Sequence, residues 1–409
     1  MSTLSPTRRS PAGRRRATVT ASMLAAVLGL ALVACSSDDD ASPSPDRPAG
    51  GAAAQVAPLA LQVNVRRDAR DVPVERTVEV GAEHGRLSTV RLGAGDRRIA
   101  GELAGDGASW RATERLEPGT TYALRVVATD EAGKRVVEVR SFRTRPLSLA
   151  EQTFASVAPL DGETVGVGMP VVVTFDVPVQ DRATFERHMS VTSAPQQAGS
   201  WHWISSTEVR WRPREYWRPG TRVSVDLDLN SLPAGAGIYG QESRRVDFEV
   251  GEAHLYRVDA AAHQMQVFTG DKLVNSFPIT TGKEGFTTRS GVKVIMEKSE
   301  SRRMNSETVG IAAGSADAYD IDNVQWAMRV TSSGEFIHAA PWSVGSQGVA
   351  NVSHGCTGMS TEDAAWLYAQ TRRGDVVEYV GTDRPMTVEN GWGDWNLPFR
   401  EYRDGSALG

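Results

Sequence analysis

Cysteine is scarce in this 409-residue chain, which contains only Cys35 and Cys356. Two cysteines allow at most one disulfide bridge, so the chain cannot depend on a disulfide framework. Basic charge is not in excess, because 45 Lys and Arg residues stand against 50 Asp and Glu residues. Phosphate binding needs clustered basic side chains, which argues against a nucleic-acid partner. Hydrophobic residues make up 40% of the chain, too few for a protein that crosses a membrane many times.

Residues 1–34 predict an export signal. All of the charged residues in this stretch are arginines, and an apolar run that ends at Ala34 follows them. The run is short for a transmembrane helix and gives way to a polar segment that starts at Ser36. Without residues 1–34 the chain has 40 basic and 50 acidic residues, a net charge of −10.

The end of this run, Leu32-Val33-Ala34-Cys35, resembles the lipobox of bacterial lipoproteins. The resemblance implies that Cys35 carries a lipid, which would anchor the protein on the extracytoplasmic face of the cell membrane and let it reach into the cell wall. An ordinary secretory signal with a chance cysteine, or a single-pass anchor, stays an alternative. Residues 35–55 are rich in Ser, Pro, Asp, Gly and Ala and predict a disordered tether.

Two segments of similar length, 56–147 and 148–250, predict immunoglobulin-like β-sandwiches. Both contain short runs in which apolar and polar residues alternate, such as Leu61–Val65 and Val223–Leu229. Alternation of this kind between turn residues is typical of antiparallel sandwiches. The second segment also has an aromatic cluster that either lines a sugar-binding face or, in our preferred interpretation, fills the sandwich core. Its members are Trp201, Trp203, Trp211, Tyr216 and Trp217.

Residues 251–381 predict a third domain, which is rich in β-strands and has one helix. Ser360 has the character of an N-cap for a helix that ends before Gly374. Residues 382–409 are expected to form a C-terminal tail that packs on this third domain. The predicted fold class is therefore mainly β, with two sandwiches followed by a β-rich domain with a single capped helix.

A cysteine preceded by two histidines lies shortly before that helix. The local sequence is Ser353-His354-Gly355-Cys356, and His338 lies further upstream. A thiolate is the effective nucleophile, and a thiol needs a base or a positive potential to form one at neutral pH. The following helix dipole would favour the thiolate, and the backbone at Gly355 could direct N–H groups at an oxyanion. A buried, inert cysteine remains an alternative, as does a metal site, although no fourth ligand stands at a typical zinc spacing.

The block from Ile337 to Met359 resembles the catalytic domain of L,D-transpeptidases, which cross-link the bacterial cell wall. The family motif is a His followed at a distance by Ser/Thr-His-Gly-Cys, here His338 and 353–356. The segments Pro278–Lys283 and Gly393–Asn396 extend the likeness. Two immunoglobulin-like modules behind a lipobox resemble the actinobacterial lipoprotein type of this family.

The resemblance implies a role for each matching residue. Cys356 would be the nucleophile and His338 its general base, held by the backbone carbonyl of Ala339. Ser353 and His354 would shape the pocket, and the N–H groups of Gly355 and Cys356 would form the oxyanion hole. Further residues are expected to bind substrate or form the lid over it: Met304, Tyr319, Ser333, Gly334, Trp342 and Gly358. Gly358 stands where the family usually has Asn.

The resemblance also implies an activity without a cofactor or metal. A tetrapeptide stem of peptidoglycan would acylate the cysteine as a thioester, and a diaminopimelate-containing acceptor stem would resolve it into a 3→3 cross-link. Carbapenem β-lactams would be inhibitors. An L,D-carboxypeptidase or cysteine peptidase, which uses water as the acceptor, is one alternative, and a catalytically silent wall-binding lipoprotein is another.

Overall fold

The alternating runs of the first segment form the strands of a sandwich in the computed structural model, which describes residues 57–409. The predicted signal peptide, tether and lipidation site at Cys35 lie outside the described residues. Strands β1, β3, β7 and β6 form one sheet in that order, and β2, β9, β8, β4 and β5 form the other. The strands are β1 Ala60–Val63, β2 Ala69–Val72, β3 Glu79–Glu83, β4 Gly85–Ala94, β5 Arg97–Ile99, β6 Gly101–Leu103, β7 Ser109–Ala112, β8 Thr121–Asp130 and β9 Arg135–Thr144.

The second segment forms another sandwich, whose sheets have the orders β11-β13-β16-β15 and β12-β20-β17-β14, with a small sheet β10-β19-β18 beside them. A short helix, α1 (Arg182–Arg187), is capped by Asp181. The strands are β10 Gln152–Thr153, β11 Ala155–Ala158, β12 Thr164–Val165, β13 Val171–Phe175, β14 Met189–Ala194, β15 Gly199–Trp203, β16 Glu208–Pro213, β17 Arg222–Leu227, β18 Pro233–Gly235, β19 Ile238–Gly240 and β20 Arg244–Val250.

The aromatic cluster belongs to the core of this second sandwich. Its four tryptophans are buried, and Trp211 stacks on Trp217 with ring centroids 5.3 Å apart. Tyr216 is half-buried and meets Trp395 of the C-terminal tail edge to face at 4.5 Å. The interpretation as core and interdomain contact is confirmed, because buried rings present no open face to a sugar.

The third domain consists of two sheets and one capped helix. The first sheet has the order β23-β22-β21-β29-β24 and the second β25-β26-β27-β28. Helix α2 (Thr361–Gln370) starts after Ser360, whose hydroxyl accepts the Asp363 N–H as predicted, and α2 packs against β26 and β27. The strands are β21 His254–Asp259, β22 Gln264–Thr269, β23 Lys272–Pro278, β24 Gly291–Val294, β25 Glu297–Asn305, β26 Asp320–Arg329, β27 Phe336–Ala339, β28 Thr357–Met359 and β29 Val376–Val380.

The predicted fold class, mainly β with two sandwiches and a β-rich third domain, is confirmed. Within residues 57–409, no helix is both long and apolar enough to cross a membrane. Four 3₁₀ turns and helix α3 complete the described elements. The turns are Leu149–Glu151, Ser306–Val309, Pro341–Ser346 and Asp394–Asn396, and α3 is Phe399–Arg403.

The second sandwich and the third domain share a hydrophobic core. The Gly166 N–H donates to the Arg373 carbonyl at 2.7 Å and the Gly168 N–H to the Gly374 carbonyl at 2.8 Å. The approach is close enough that a Cβ on Gly166 would stand 2.2 Å from the Asp375 nitrogen. Three buried residues of the later chain join the core of the second sandwich: Val294, Val376 and Trp392.

The C-terminal tail, residues 382–409, contacts the second sandwich as well as the third domain on which it is expected to pack. Asn396 bonds to the backbone of Val292 in the third domain. Arg210 of the second sandwich reaches into the tail, where its guanidinium donates to the Gly391 carbonyl at 2.7 Å and meets Asp394 at 3.2 Å. A sequence pattern shows that a tail has apolar and aromatic residues to bury, but it does not show which of two neighbouring surfaces has the matching cation.

We expect Gly166→Ala to lower the free energy of unfolding by about 1–3 kcal/mol, the usual cost of overpacking, because backbone blocks the added methyl. Gly105→Ala is the matched control, since that glycine is exposed and nothing lies within 4 Å of its added Cβ. Chemical denaturation checks both variants. Equal stability of Gly166→Ala and wild type would contradict the close junction.

Candidate active site

Two adjacent strands bring His338 and Cys356 together. β27 pairs in parallel with β28, which places His338 beside Gly358, and Cys356 directly precedes β28. The side chains of His338 and Cys356 line the same cavity of about 220 Å³. Parallel neighbours need a long crossover between them, and this explains why the two residues lie far apart in sequence.

The turn before β28 is held by hydrogen bonds from its own serine and from a threonine in the loop before β24. The Ser353 hydroxyl donates to the Cys356 carbonyl at 2.6 Å and accepts the Gly355 N–H at 3.1 Å. Thr288 donates its hydroxyl to the Gly355 carbonyl at 2.8 Å. Gly355 has a φ of +121°, which an L-residue rarely adopts. Ser353 therefore holds the turn, and it also lines the cavity.

These bonds involve one of the two N–H groups that are expected to form the oxyanion hole. The Gly355 N–H is donated to the Ser353 hydroxyl and is not free to meet an oxyanion. The Cys356 N–H has no such partner among residues 57–409, which leaves it as the available donor of the predicted pair. The Gly355 N–H, which the motif assigns to the substrate oxyanion, bonds to Ser353 within the turn.

His338 has its tautomer set by the backbone. Its Nδ1 lies 2.8 Å from the carbonyl oxygen of Ala339, as the resemblance implies. A carbonyl only accepts, so Nδ1 carries the proton and Nε2 keeps a lone pair. Burial lowers the pKa of His338, and the ring is therefore neutral at pH 7. A neutral imidazole with a free lone pair is suited to act as a general base.

Cys356 is partly exposed to the cavity, and its Sγ lies 3.6 Å from the Gly334 carbonyl. Burial raises the pKa of the thiol to about 11, so the resting group is protonated. The expected help from the helix dipole is not seen. Strand β28 separates Cys356 from helix α2, and the helix uses Ser360 to cap its first turn. The dipole effect fades beyond the first turn of a helix.

The predicted lid residues surround the cavity. Met304 and Tyr319 line it, and Trp342 stands exposed at its rim with its ring 5.9 Å from that of His338. The ring of His354 lies 5.1 Å from Tyr319. Ser333 is exposed and does not line this cavity, so the structure brings only its neighbour Gly334 to the thiol.

Three residues near the lid were missed by the functional analysis of the sequence. Phe286 meets the His354 ring edge to face at 4.7 Å. Asp317 accepts a 2.6 Å hydrogen bond from Lys283 and lies 3.5 Å from His354 Nε2. Of these three residues, the sequence indicates only Lys283, which ends the segment Pro278–Lys283 that resembles the family. Phe286 and Asp317 meet His354 only in the folded structure, so no spacing in the sequence indicates these contacts.

No group of three or more His, Cys, Asp or Glu side chains in the described part of the chain is arranged to hold a metal ion. The alternative of a metal site through His338, His354 and Cys356 therefore gains no support. The alternative of an inert, fully enclosed cysteine does not fit either, because Cys356 reaches the cavity.

Gly358, the departure from the family pattern, is enclosed on two sides. Its N–H and carbonyl both bond to the backbone of Thr280. A Cβ at this position would stand 2.9 Å from the Ala340 methyl and 3.0 Å from the Thr280 methyl. Its φ is not in the left-handed region, so the constraint is space and not backbone conformation.

We expect Gly358→Asn to lower the free energy of unfolding by about 1–3 kcal/mol, because the larger side chain forces the neighbouring methyls apart. The acylation rate of Cys356 should fall as well, since Gly358 also lines the cavity. Gly345→Ala is the control, because that exposed glycine has nothing within 4 Å of the added Cβ. Thermal unfolding and intact-protein mass spectrometry check this. An unchanged unfolding temperature would refute the steric argument.

Comparisons with known proteins relate this chain to one family. The family described as "L,D-transpeptidase catalytic domain" matches residues 254–378, and a bacterial Ig domain matches residues 69–233. L,D-transpeptidase 2 of Mycobacterium tuberculosis is 35% identical over 398 residues, which are 96% of this chain and 96% of that protein. L,D-transpeptidase 1 of that species is 39% identical over 56% of this chain and 84% of its own. A solved L,D-transpeptidase in complex with imipenem is 38% identical over 55% of this chain and 98% of its own, with a TM-score of 0.49. The chain belongs to the L,D-transpeptidase family.

Proposed function

We propose that this protein forms 3→3 cross-links between peptidoglycan stem peptides through a thioester on Cys356. One observation carries the proposal: Cys356 opens into the same cavity as His338, whose Nδ1–H is fixed on the Ala339 carbonyl. That bond directs the basic Nε2 away from the backbone. Membership of the L,D-transpeptidase family supports the reaction class.

In the first step, Nε2 of His338 accepts the thiol proton while Sγ of Cys356 attacks the carbonyl carbon of the L-centre in a tetrapeptide stem. The carbonyl electrons move to oxygen, and the Cys356 N–H stabilises this oxyanion. When the C–N bond breaks, the leaving D-alanine takes the proton from His338. The product is a thioester on Cys356.

In the second step, the side-chain amine of diaminopimelate on another stem attacks the thioester. His338 accepts the amine proton and returns it to sulfur as the C–S bond breaks. The new bond is an amide that joins the two stems, and the enzyme is regenerated. Water in place of the amine would give an L,D-carboxypeptidase.

The two pKa shifts determine how the proton moves. Burial raises the pKa of Cys356 and lowers that of His338, so both groups are neutral before substrate binds. The thiolate therefore forms only as the proton passes to His338. A resting protein of this type has little thiolate that adventitious electrophiles or oxidants can reach.

A carbapenem is expected to acylate the same thiol. Its strained lactam carbonyl can take the place of the scissile amide, and ring opening transfers the acyl group to sulfur. The opened ring keeps the leaving nitrogen attached and leaves no path for the acceptor amine. Inhibition follows from chemistry that the proposed reaction already needs.

We expect wild type to gain one carbapenem on Cys356, and Cys356→Ala to gain none. His338→Ala should slow the adduct by about 10²–10⁴-fold, the usual contribution of a general base, and His354→Ala should slow it less. His84→Ala is the matched control, because that histidine is exposed in the first sandwich. Intact-protein mass spectrometry measures each rate, and circular dichroism verifies folding.

The rate should also decrease at acid pH, because a protonated His338 cannot accept the thiol proton. Its pKa is lowered, so the decrease begins below the ordinary histidine range. Incubation with a disaccharide tetrapeptide, with and without an acceptor stem, separates the reactions: a cross-linked dimer supports the proposal, and tripeptide alone indicates a carboxypeptidase. A folded protein that forms no Cys356 adduct at any pH would indicate a silent wall-binding protein.

We further propose that a lipid on Cys35 anchors the protein at the cell membrane, as the lipobox indicates. Cys35→Ser should release the protein from washed membranes into the medium. The soluble protein from residue 57 onward should keep the carbapenem acylation rate of the whole chain. Fractionation and immunoblotting test this, with Cys356→Ser as the control that stays in the membrane. Retention of Cys35→Ser after a salt wash would favour an uncleaved apolar anchor.

A further inference from the structure

The outward face of the larger sheet in the first sandwich is rich in arginine. In strand β8, Tyr122, Leu124 and Val126 are buried in the sandwich core. Side chains alternate between the two faces of a sheet, so the odd-numbered residues of β8 and the residues paired with them point outward. Six exposed arginines occupy such positions in β4, β5, β8 and β9, and we call them the arginine face: Arg86, Arg91, Arg98, Arg125, Arg135 and Arg143.

No acidic residue occupies an outward position in the described strands β4, β5, β8 and β9. Glu138 of β9 faces the opposite side, where it pairs with Arg140 at 2.5 Å. Other acidic side chains lie at the margins, in edge strand β2 and at the strand ends and turns: Asp71, Asp96, Asp130 and Glu131. The ion pairs of this sandwich use other arginines, namely Arg97, Arg111, Arg115, Arg140 and Arg145. Within residues 57–409, the arginine face therefore keeps its positive charge uncompensated.

Folding stability does not account for this arrangement. Arg91 on β4 and Arg125 on β8 stand directly opposite each other, and like charges at such positions destabilise a sheet. Residues 57–147 contain 16 Lys and Arg against 13 Asp and Glu, a net charge of +3, although the chain without residues 1–34 has a net charge of −10. Positive charge that is concentrated on one face of an acidic protein is typical of a surface that attracts an anionic partner.

The arginine face is broad. From the usual spacing of residues and strands, it extends about 27 Å along β8 and about 14 Å from β5 to β9. The outward residues between the arginines include the small Gly93, Ala123 and Ser141 and the exposed Val137 and Val139. Guanidinium groups bind phosphate through two parallel hydrogen bonds. Charges spread over such an area match a surface that carries many phosphates better than they match one small anion.

We propose that the arginine face binds the phosphate headgroups of anionic phospholipids at the membrane surface. A membrane as the partner rests on the lipid anchor proposed at Cys35. The predicted tether, residues 35–55, has 21 residues, and the ends of a flexible chain of this length lie about 25 Å apart on average. The first sandwich follows the tether directly, so the anchor would hold the arginine face close to the headgroups.

The test is binding to lipid vesicles. Residues 56–409 form one compact unit, so the soluble protein from residue 57 onward is suitable. The vesicles contain equal parts of phosphatidylcholine and phosphatidylglycerol, or phosphatidylcholine alone. We expect the protein to sediment with the anionic vesicles, less so as the salt concentration rises, and not with the neutral vesicles.

The double variant Arg91→Gln/Arg125→Gln should bind the anionic vesicles about 30-fold more weakly, because each arginine near an anionic surface contributes about fivefold. Its unfolding temperature should not fall, since two opposed like charges are removed. Arg214→Gln/Arg218→Gln is the matched control, because it removes the same charge from two exposed arginines of the second sandwich. The control should bind as wild type does, and both variants should keep the wild-type rate of carbapenem acylation.

Failure to bind anionic vesicles, or an equal loss in the two double variants, would overturn the proposal. Two other occupants of the arginine face are outcomes that overturn it as well. If protein that begins at Ser36 does not bind, the acidic tether with Asp38, Asp39 and Asp40 occupies the face. Arginine-dependent binding to purified peptidoglycan without binding to vesicles would identify a wall polymer as the partner.

These results are separate from those that test the lipid anchor and the reaction. Vesicle binding is measured on protein without a lipid, so it does not depend on whether Cys35 is modified. Folded protein that binds vesicles but forms no Cys356 adduct would refute the proposed reaction and leave the arginine face supported.

Discussion

The parallel pairing of β27 with β28 is the constraint on which the rest of the site depends. It places His338 beside Gly358 and therefore brings Cys356, two residues before Gly358, to the same cavity. On the other side of β28, Thr280 bonds to both backbone groups of Gly358. A strand held from both sides has no freedom to change register, because a one-residue slip would turn each side chain to the opposite face.

Burial then determines the chemical state of the two reactive groups. The enclosed thiol has a raised pKa and the enclosed imidazole a lowered one, so neither is charged while the site waits for substrate. The proposed attack needs a fixed proton path, and the Ala339 carbonyl sets that path by holding Nδ1 of His338.

The domain junction explains how this site is supported from a distance. Gly166 and Gly168 let the backbone of the second sandwich approach the turn before β29. The C-terminal tail contacts both the second sandwich and the third domain. Arg210 of the second sandwich donates to a tail carbonyl and pairs with Asp394. The second sandwich is therefore part of the structural support of the third domain, which a description as a simple spacer would miss.

Local patterns in the sequence by themselves determined the elements. Period-two alternation located the strands, Ser360 located the helix start, and the motif around Cys356 located the candidate nucleophile, because each of these signals lies within a few residues of chain. Only the tertiary structure decided what depends on contacts between distant segments. Two methyls from other segments enclose Gly358, and Glu335 meets a lysine 42 residues away. No local pattern encodes these contacts, since they arise where separately folded strands pack together.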